Sequence, residues 1–245
     1  MWDNPRVMNV LASLLYLFAT AMFVYMLFYV VVRLPYFPLR QIVISGGPQH
    51  ITAEQVRFIA ERQMRGNFFT LDLVSAERAF RKLPWVRGVT LRRQWPDRLE
   101  VTVEEHQALA RWNNRALVNT RGEIFAAASG AALPVFRGAD PDARDITIGY
   151  AQFSKTLAPL GLKLAEVSLS ARHAWQIALA HGTVIELGRH DVQTRLQKFV
   201  AVYPQTLGRL KFNVEYVDLR YPNGFAVRAP SGIRPVETTP NKEQA

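Results

Sequence analysis

Polarity along this chain repeats with three different periods, and each marks a different kind of element. From Val10 to Val32 twenty-three residues pass without a charged side chain. A helix rises about 1.5 Å per residue, so this run crosses a hydrocarbon core of about 30 Å with slight tilt. The hydroxyls inside it, on Ser13, Tyr16, Thr20, Tyr25 and Tyr29, are within reach of the helix's own carbonyls or of the interface. Trp2, Tyr36 and Phe37 stand where interfacial rings belong. The pattern then shortens. Leu39 to Ser45 reads as a strand closed by Gly46, Gly47 and Pro48. Thr52 with Gln55 is a capping box, flanked by Ile51 and Val56 at the staple positions. Val56, Ile59, Ala60 and Met64 keep helical spacing, which predicts a helix over 53–64 stopped by Gly66 and Asn67. A second helix starts near Asp72, turns Leu73, Ala76, Phe80 and Leu83 inward, and ends before Pro84.

Strict alternation follows. Val89 and Leu91 alternate with Thr90 and Arg92; after Pro96 and Asp97, Leu99, Val101 and Val103 alternate with Arg98, Glu100, Thr102 and Glu104. That is a hairpin with one apolar and one charged face, in which Arg92 and Glu100 stand opposite for a few tenths of a kcal/mol. The first part of the chain is thus strand, helix, helix, strand, strand, enough for a three-stranded sheet with both helices on one face.

Short strands dominate the remainder: Ala108 to Trp112, Leu117 to Asn119 and Gly122 to Phe125 around a turn at Thr120 to Gly122. Ala126 to Asp145 lacks periodicity and reads as loop with a strand near Leu133 to Phe136. Tyr150, Phe153, Leu157 and Leu160 predict a helix broken around Pro159 and Gly161. Three strands follow, carried by Leu164, Val167 and Leu169, by Trp175, Ile177 and Leu179, and by Val184, Ile185 and Leu187. Asp191 is placed to cap a helix with Val192, Leu196, Phe199, Val200 and Tyr203 on one face. From Leu210 the chain returns to strand. Phe212, Val214 and Tyr216 share one phase and Val217, Leu219 and Tyr221 the other, which predicts a bulge near Tyr216. Pro222-Asn223-Gly224 is a turn, Phe225 to Arg228 a last strand, and the polar tail after Pro230 reads as disordered.

The long apolar run changes what the rest can be. A cleaved signal peptide has an apolar region of about 7 to 15 residues and a small-residue cleavage site. Here Arg33-Leu34-Pro35-Tyr36 follows directly, which favours an uncleaved anchor. Charge does not orient it: Arg6 stands against Asp3 on one side, Arg33 and Arg40 on the other. With nine residues ahead of the run and more than two hundred behind it, analogy with signal anchors puts the amino end in the cytoplasm. The 212 residues after Arg33 make one large domain or two small ones.

Composition narrows the chemistry. Zero cysteines exclude disulfides, thiolate metal sites and cysteine nucleophiles. The chain carries +10, and 28 basic against 19 acidic residues remain once Arg6, Arg33 and Asp3 are set aside. Such a balance fits nucleic acid, anionic lipid or an acidic partner, or simply solvated faces, since the arginines are scattered among carboxylates. The histidines, His50, His106, His173, His181 and His190, have no HExxH spacing; no serine sits in GxSxG, and no phosphate-loop motif occurs. Glu104 and Glu105 are adjacent on a strand and so face opposite ways. No catalytic, cofactor or metal site is expected. Binding is expected at the carboxy-terminal strands: if Val217 to Tyr221 or Phe225 to Arg228 is a sheet edge, its backbone accepts an added strand. On pattern alone the same strands read equally well as the sheet's own protected end.

The element order directly after a single span, with Leu83-Pro84-Trp85-Val86 and Arg93-Gln94-Trp95-Pro96-Asp97-Arg98-Leu99-Glu100-Val101, resembles the POTRA domain of the bacterial cell-division family FtsQ, called DivIB in Gram-positive bacteria. Ala108 to Trp112, Leu117-Val118-Asn119 and Gly122-Glu123-Ile124-Phe125 are similar to the opening of that family's β domain. The resemblance implies an α+β fold: cytoplasmic tail 1–9, transmembrane helix 10–32, POTRA domain 38–106 (β-α-α-β-β), β domain 107–230 with one or two helices, and tail 231–245. It also implies a non-enzymatic divisome scaffold of the inner membrane, amino end inside and bulk periplasmic at the septum. Its partners would be FtsB in complex with FtsL, and other division proteins such as FtsK, FtsW and FtsI. The run Tyr216-Val217-Asp218-Leu219-Arg220-Tyr221 with Gly224 matches the family's partner-binding strands. By that match Val217, Leu219, Arg220, Tyr221 and Gly224 are candidate contacts, joined by Phe225 and Val227 of the candidate edge strand, with Arg172 in Ser170-Ala171-Arg172-His173-Ala174-Trp175 placed to receive an acidic group. The chain departs from the family in its short amino tail and in His106-Gln107, where arginine and proline are common. An anchored POTRA protein of outer-membrane transport is the alternative, although neither several POTRA repeats nor a barrel is visible. A basic nucleic-acid binder is a weaker one.

Overall fold

The structure is a computed structural model that describes residues 5–34, 38–47, 49–63, 66–210, 214–222 and 224–228. The chain divides into two compact units, Met1–His106 and Gln107–Ala245, taken here one at a time. Trp2, Tyr36, Phe37, Met64, Phe212 and the tail from 231 lie outside the described residues.

In the first unit, α1 (Pro5–Arg33) contains the apolar run and is long and apolar enough to cross a membrane. Its side chains from Met8 to Val31 all face outward, as a lipid-facing helix requires. Ser13 Oγ donates to the Asn9 carbonyl at 2.8 Å, so that hydroxyl is satisfied within the helix. Then come β1 (Gln41–Ser45), α2 (Ala53–Gln63), α3 (Leu73–Phe80), β2 (Val86–Gln94) and β3 (Arg98–Glu105). The sheet order is β1-β3-β2, with β1 parallel and β2 antiparallel to β3. Val56 and Ile59 of α2, Phe80 of α3 and Val89, Leu99, Val101 and Val103 of the hairpin close one core.

Local chemistry sets the element ends. Thr52 N donates to Gln55 Oε1 and Gln55 N to Thr52 Oγ1, the reciprocal capping box. Asp72 accepts from the backbone of Val74 and Ser75 and from Ser75 Oγ; these bonds, led by the hydroxyl, hold its carboxyl below the usual range. Arg92 and Glu100 face each other across the hairpin, and Glu100 Oε1 accepts from Ser45 Oγ at 3.2 Å. Glu104 and Glu105 separate: the first meets Arg87 at 2.9 Å, the second gathers the Gln49 and His50 amides and the His50 ring. That ring lies flat on Trp85, centroids 3.7 Å apart. Asn67, buried in the α2–α3 loop, donates from Nδ2 to the carbonyls of Val32 (2.6 Å) and Leu34 (3.0 Å) at the end of α1. Its Oδ1 accepts from Phe69 N and Thr70 N. One side chain thus shapes the loop and satisfies carbonyls that a helix end leaves without partners.

The second unit holds β4 (Ala108–Trp112), β5 (Ala116–Asn119), β6 (Ile124–Phe125), β7 (Val135–Arg137), α4 (Ala143–Leu157), β8 (Leu164–Leu169), β9 (Trp175–Leu179), β10 (Val184–Gly188), α5 (Val192–Val202), β11 (Tyr216–Asp218) and β12 (Ala226–Arg228). They form one nine-stranded sheet in the order β12-β11-β10-β9-β8-β7-β4-β5-β6. Two parallel joins, β7–β8 and β10–β11, are made by crossovers through α4 and α5. The core runs under both helices through Trp112, Phe136, Ile146, Phe153, Ile177, Ile185, Leu196, Phe199 and Val217. The first unit is α+β and so is the second, with its sheet dominant.

Three local expectations need correction. The helix expected from Tyr150 begins at Ala143, inside the segment read as loop. Ala143 and Ile146 extend the stripe of Phe153 and Leu157, and Gly149 lets Trp175 approach, since an added Cβ would stand 2.7 Å from that ring. Asp191 precedes α5 but makes no cap bond. Its backbone is left-handed (φ 52°, ψ 29°), not the extended form that points a side chain at the first free amides. No bulge occurs at Tyr216: β11 starts there and pairs in unbroken register with β10 and β12. The change of phase is a strand beginning, with the carbonyl of buried Val214 held by Thr183 Oγ1 at 2.6 Å.

Candidate partner-binding site

Among the described strands β12 is the last, with β11 on one side and none on the other. Of the two strand runs expected to form an edge, Phe225 to Arg228 holds it and Val217 to Tyr221 does not. β11 is flanked by β10 and β12, and Val217 and Leu219 point inward at 0 % and 4 % exposure. Alternation explains this: 217 and 219 occupy the helix-covered face while 216 and 218 take the other. The side chains of Val217 and Leu219 thus belong to the core of this unit.

Of the remaining candidates Tyr221, Gly224 and Phe225 line a groove of about 970 Å³ between α5 and the β11–β12 connection. Phe225 stands edge-on to Phe199, centroids 5.9 Å apart, and Phe199 is itself edge-on to Tyr203, so the approach to β12 is pinned to α5. Leu219, Tyr221, Gly224 and Phe225 line one wall. Thr194, Arg195, Lys198 and Val202 line the other; they share one side of α5 at helical spacing. Sequence reasoning missed this second wall, although the spacing of Thr194, Arg195 and Lys198 beside the apolar stripe of Leu196 and Phe199 carried the signal. Tyr221 is 57 % exposed and Val227 47 %. At Gly224 an added Cβ meets nothing within 4 Å, so packing does not dictate glycine there.

Charge is ordered behind the groove. Asp218 accepts from Arg220 N, Nε and Nη2 at 2.7–3.1 Å. Those bonds, foremost the guanidinium's, hold the Asp218 carboxyl below its ordinary value against the opposing effect of burial, and Arg195 adds to them. Arg220 is thereby bent back along the strand while its side chain stays 56 % exposed. Arg195 Nη1 donates to the Leu187 carbonyl at 2.9 Å. Gly188 lies between the two arginines at φ 78°, a left-handed backbone that favours glycine. Burial raises the Tyr216 phenol, with Asp218 and Glu186 adding to it, and the Arg228 guanidinium sits 5.4 Å from the same ring.

Arg172 lies exposed in the β8–β9 turn, shaped by Ser170 through Ala174 N to Ser170 Oγ and His173 N to Ser170 O. Register places this turn at the same end of the sheet as Tyr221 and Gly224, since Leu169 pairs with Trp175, Trp175 with Gly188, Glu186 with Asp218 and Asp218 with Ala226. From β9 to β12 is three strand spacings, about 14 Å. No cluster of three or more metal-ligating side chains exists among the described residues.

Residues 37–106 match the family model described as POTRA domain, FtsQ-type, and residues 110–220 the model of the FtsQ/DivIB C-terminal region. The chain is 41 % identical over 233 residues to the cell division protein FtsQ of Nitrosospira multiformis, covering 93 % of this chain and 99 % of that one. The chain belongs to the FtsQ/DivIB family. FtsQ of Burkholderia pseudomallei is 42 % identical over 241 residues, 96 % of each chain, and FtsQ of Neisseria gonorrhoeae 33 % over 240, 95 % and 97 %. The resemblance read from the tryptophan-proline hairpin and the YVDLRY run is thus established, as are the POTRA domain, the transmembrane helix and a place in cell division. The match to the FtsQ/DivIB model ends at Arg220, just ahead of the exposed wall formed by Tyr221, Gly224 and Phe225.

Proposed function

We propose that this chain is a non-enzymatic scaffold of the divisome whose β12 edge and adjoining groove bind the FtsB/FtsL complex. The observation that carries the proposal is the placement of β12 as the terminal described strand beside a groove with an exposed aromatic rim. An incoming strand bonds to the β12 backbone, Tyr221 and Val227 supply apolar contact, and Gly224 lets the backbones approach closely. Arg172 and the exposed face of Arg220 receive acidic side chains, while Val217 and Leu219 hold the platform from within.

On this reading residues 1–9 are cytoplasmic, 10–32 span the inner membrane, 38–106 and 107–230 form the periplasmic POTRA and β domains at the septum, and 231–245 is a tail. The POTRA domain then faces other division proteins, such as FtsK, FtsW and FtsI. The test is binding of the full chain in nanodiscs to the periplasmic segments of FtsB and FtsL. Tyr221→Ala is expected to weaken it tenfold or more, which is at least about 1.4 kcal/mol, with circular dichroism unchanged. Undiminished binding by that variant moves the site elsewhere.

A further inference from the structure

The end of the first unit nearest α1 carries features that partner binding at β12 does not use. Asn67 ties the α2–α3 loop to the last carbonyls of α1. Leu71 N donates to the Asn67 carbonyl at 3.0 Å, and Arg93 Nη2 donates to the Leu71 carbonyl at 2.7 Å. Two residues beyond Arg93 is Trp95, 76 % exposed at the tip of the β2–β3 hairpin. A short relay of hydrogen bonds therefore leads from the end of the span to Arg93, two residues before an uncovered indole.

Depth follows from length. The twenty-three uncharged residues from Val10 to Val32 rise about 34 Å as a helix against a hydrocarbon core of about 30 Å, so Val32 stands at the core boundary. A loop bonded directly to the Val32 and Leu34 carbonyls lies in the headgroup layer. Phe69, 43 % exposed, and Val74, 59 % exposed, belong to the same end.

Charge has the same polarity. Arg33, Arg40, Arg92 and Arg98 are exposed around this end, and the Arg40 amide bonds the Asp97 carbonyl at 2.9 Å. The opposite end of the unit, where β3 finishes and α2 begins, carries Glu54, Glu104 and Glu105. Indole and guanidinium together are what an interface of acyl chains and phosphates takes up.

We infer that this end of the POTRA domain docks on the phospholipid headgroups of the bilayer that α1 crosses, with Trp95 inserted as an interfacial anchor, the arginines meeting anionic phosphates and Asn67 fixing the angle. The domain stands on the membrane instead of swinging from a tether. The inference needs only the span; it is independent of which side the domain occupies and of the partner at β12.

Because the chain has no cysteine, one nitroxide can be placed at will. The full chain is reconstituted in phosphatidylethanolamine and phosphatidylglycerol vesicles with a label at Gln94→Cys, beside the indole, or at Glu54→Cys, at the far end. Collision with oxygen is expected to dominate at 94 and collision with a water-soluble nickel chelate at 54. Adding Trp95→Ala to Gln94→Cys should abolish the oxygen preference. Val74→Cys repeats the measurement from the other element should Gln94→Cys disturb the hairpin. Chelate preference at 94 and 74 equal to that at 54 overturns the inference and leaves the indole to a protein partner. So does an oxygen preference that survives Trp95→Ala.

Discussion

Two turns of this molecule share a plan. Trp95-Pro96-Asp97 joins β2 to β3, and Tyr221-Pro222-Asn223-Gly224 lies on the way from β11 to β12. Each presents an aromatic ring before a proline, 76 % exposed in the first and 57 % in the second. Their mounts differ. The first caps a hairpin of long strands in regular pairing from Gly88 and Glu104 to Gln94 and Arg98, and its neighbours are arginines. The second follows a three-residue strand, leans on α5 through Phe225 and Phe199, and opens on a groove. An exposed ring therefore does not name its addressee. Cations around a bare tip fit a charged surface, whereas a strand edge and a groove fit a folded segment.

The largest expected effects test whether each turn is mounted on a core. Phe199→Ala, beneath the second turn, should destabilise the chain by about 3–5 kcal/mol, and Leu99→Ala, at the root of the first, by about 2–5 kcal/mol, read from chemical denaturation. If Phe199→Ala is mild, the groove wall is soft and the contrast between the turns weakens. Next is the separation of addressees. Tyr221→Ala should lose at least tenfold in FtsB/FtsL binding, about 1.4 kcal/mol or more, while Trp95→Ala leaves that affinity unchanged in the same titration.

The pH dependence of the second mount is smaller. The Asp218 carboxyl is held below its ordinary value by Arg220, so the folded state binds protons more weakly than the unfolded one. Its contribution is complete above the unfolded value, about 3.9, and is lost as pH falls through the depressed folded value. Denaturation midpoints followed from pH 6 to pH 2 should fall less steeply in Asp218→Asn than in the unsubstituted chain. Smallest of all, Gly224→Ala should change stability by no more than about 0.5 kcal/mol, because its Cβ enters open space. A loss of partner affinity in that variant would locate the incoming backbone against residue 224.

How much of this was legible depended on how local each signal was. The capping box, the helix start near Asp72 and the β2–β3 hairpin are written within a few residues, and they are where the sequence placed them. The Asp191 cap was misread because a residue type does not disclose a left-handed backbone, and the start of α4 because Gly149 and the loop-like Pro141 hid a stripe that begins at Ala143. Alternation showed that Val217 and Leu219 share a face, but not which strand takes the edge. That is decided by the crossover through α5, which sets β11 beside β10 and leaves β12 outermost. The family resemblance supplied Tyr221, Gly224 and Phe225, which the structure brings to one wall; it could not supply the α5 wall, which depends on tertiary packing.

The hydrogen bonds from Asn67 to Val32 and Leu34 also set an order of events in synthesis. The ribosome adds Asn67 thirty-five residues after Val32, so these two hydrogen bonds form only once the α2–α3 loop has been made. The end of the helix acquires this pair of bonds from the domain that follows it, not from its own stretch of chain.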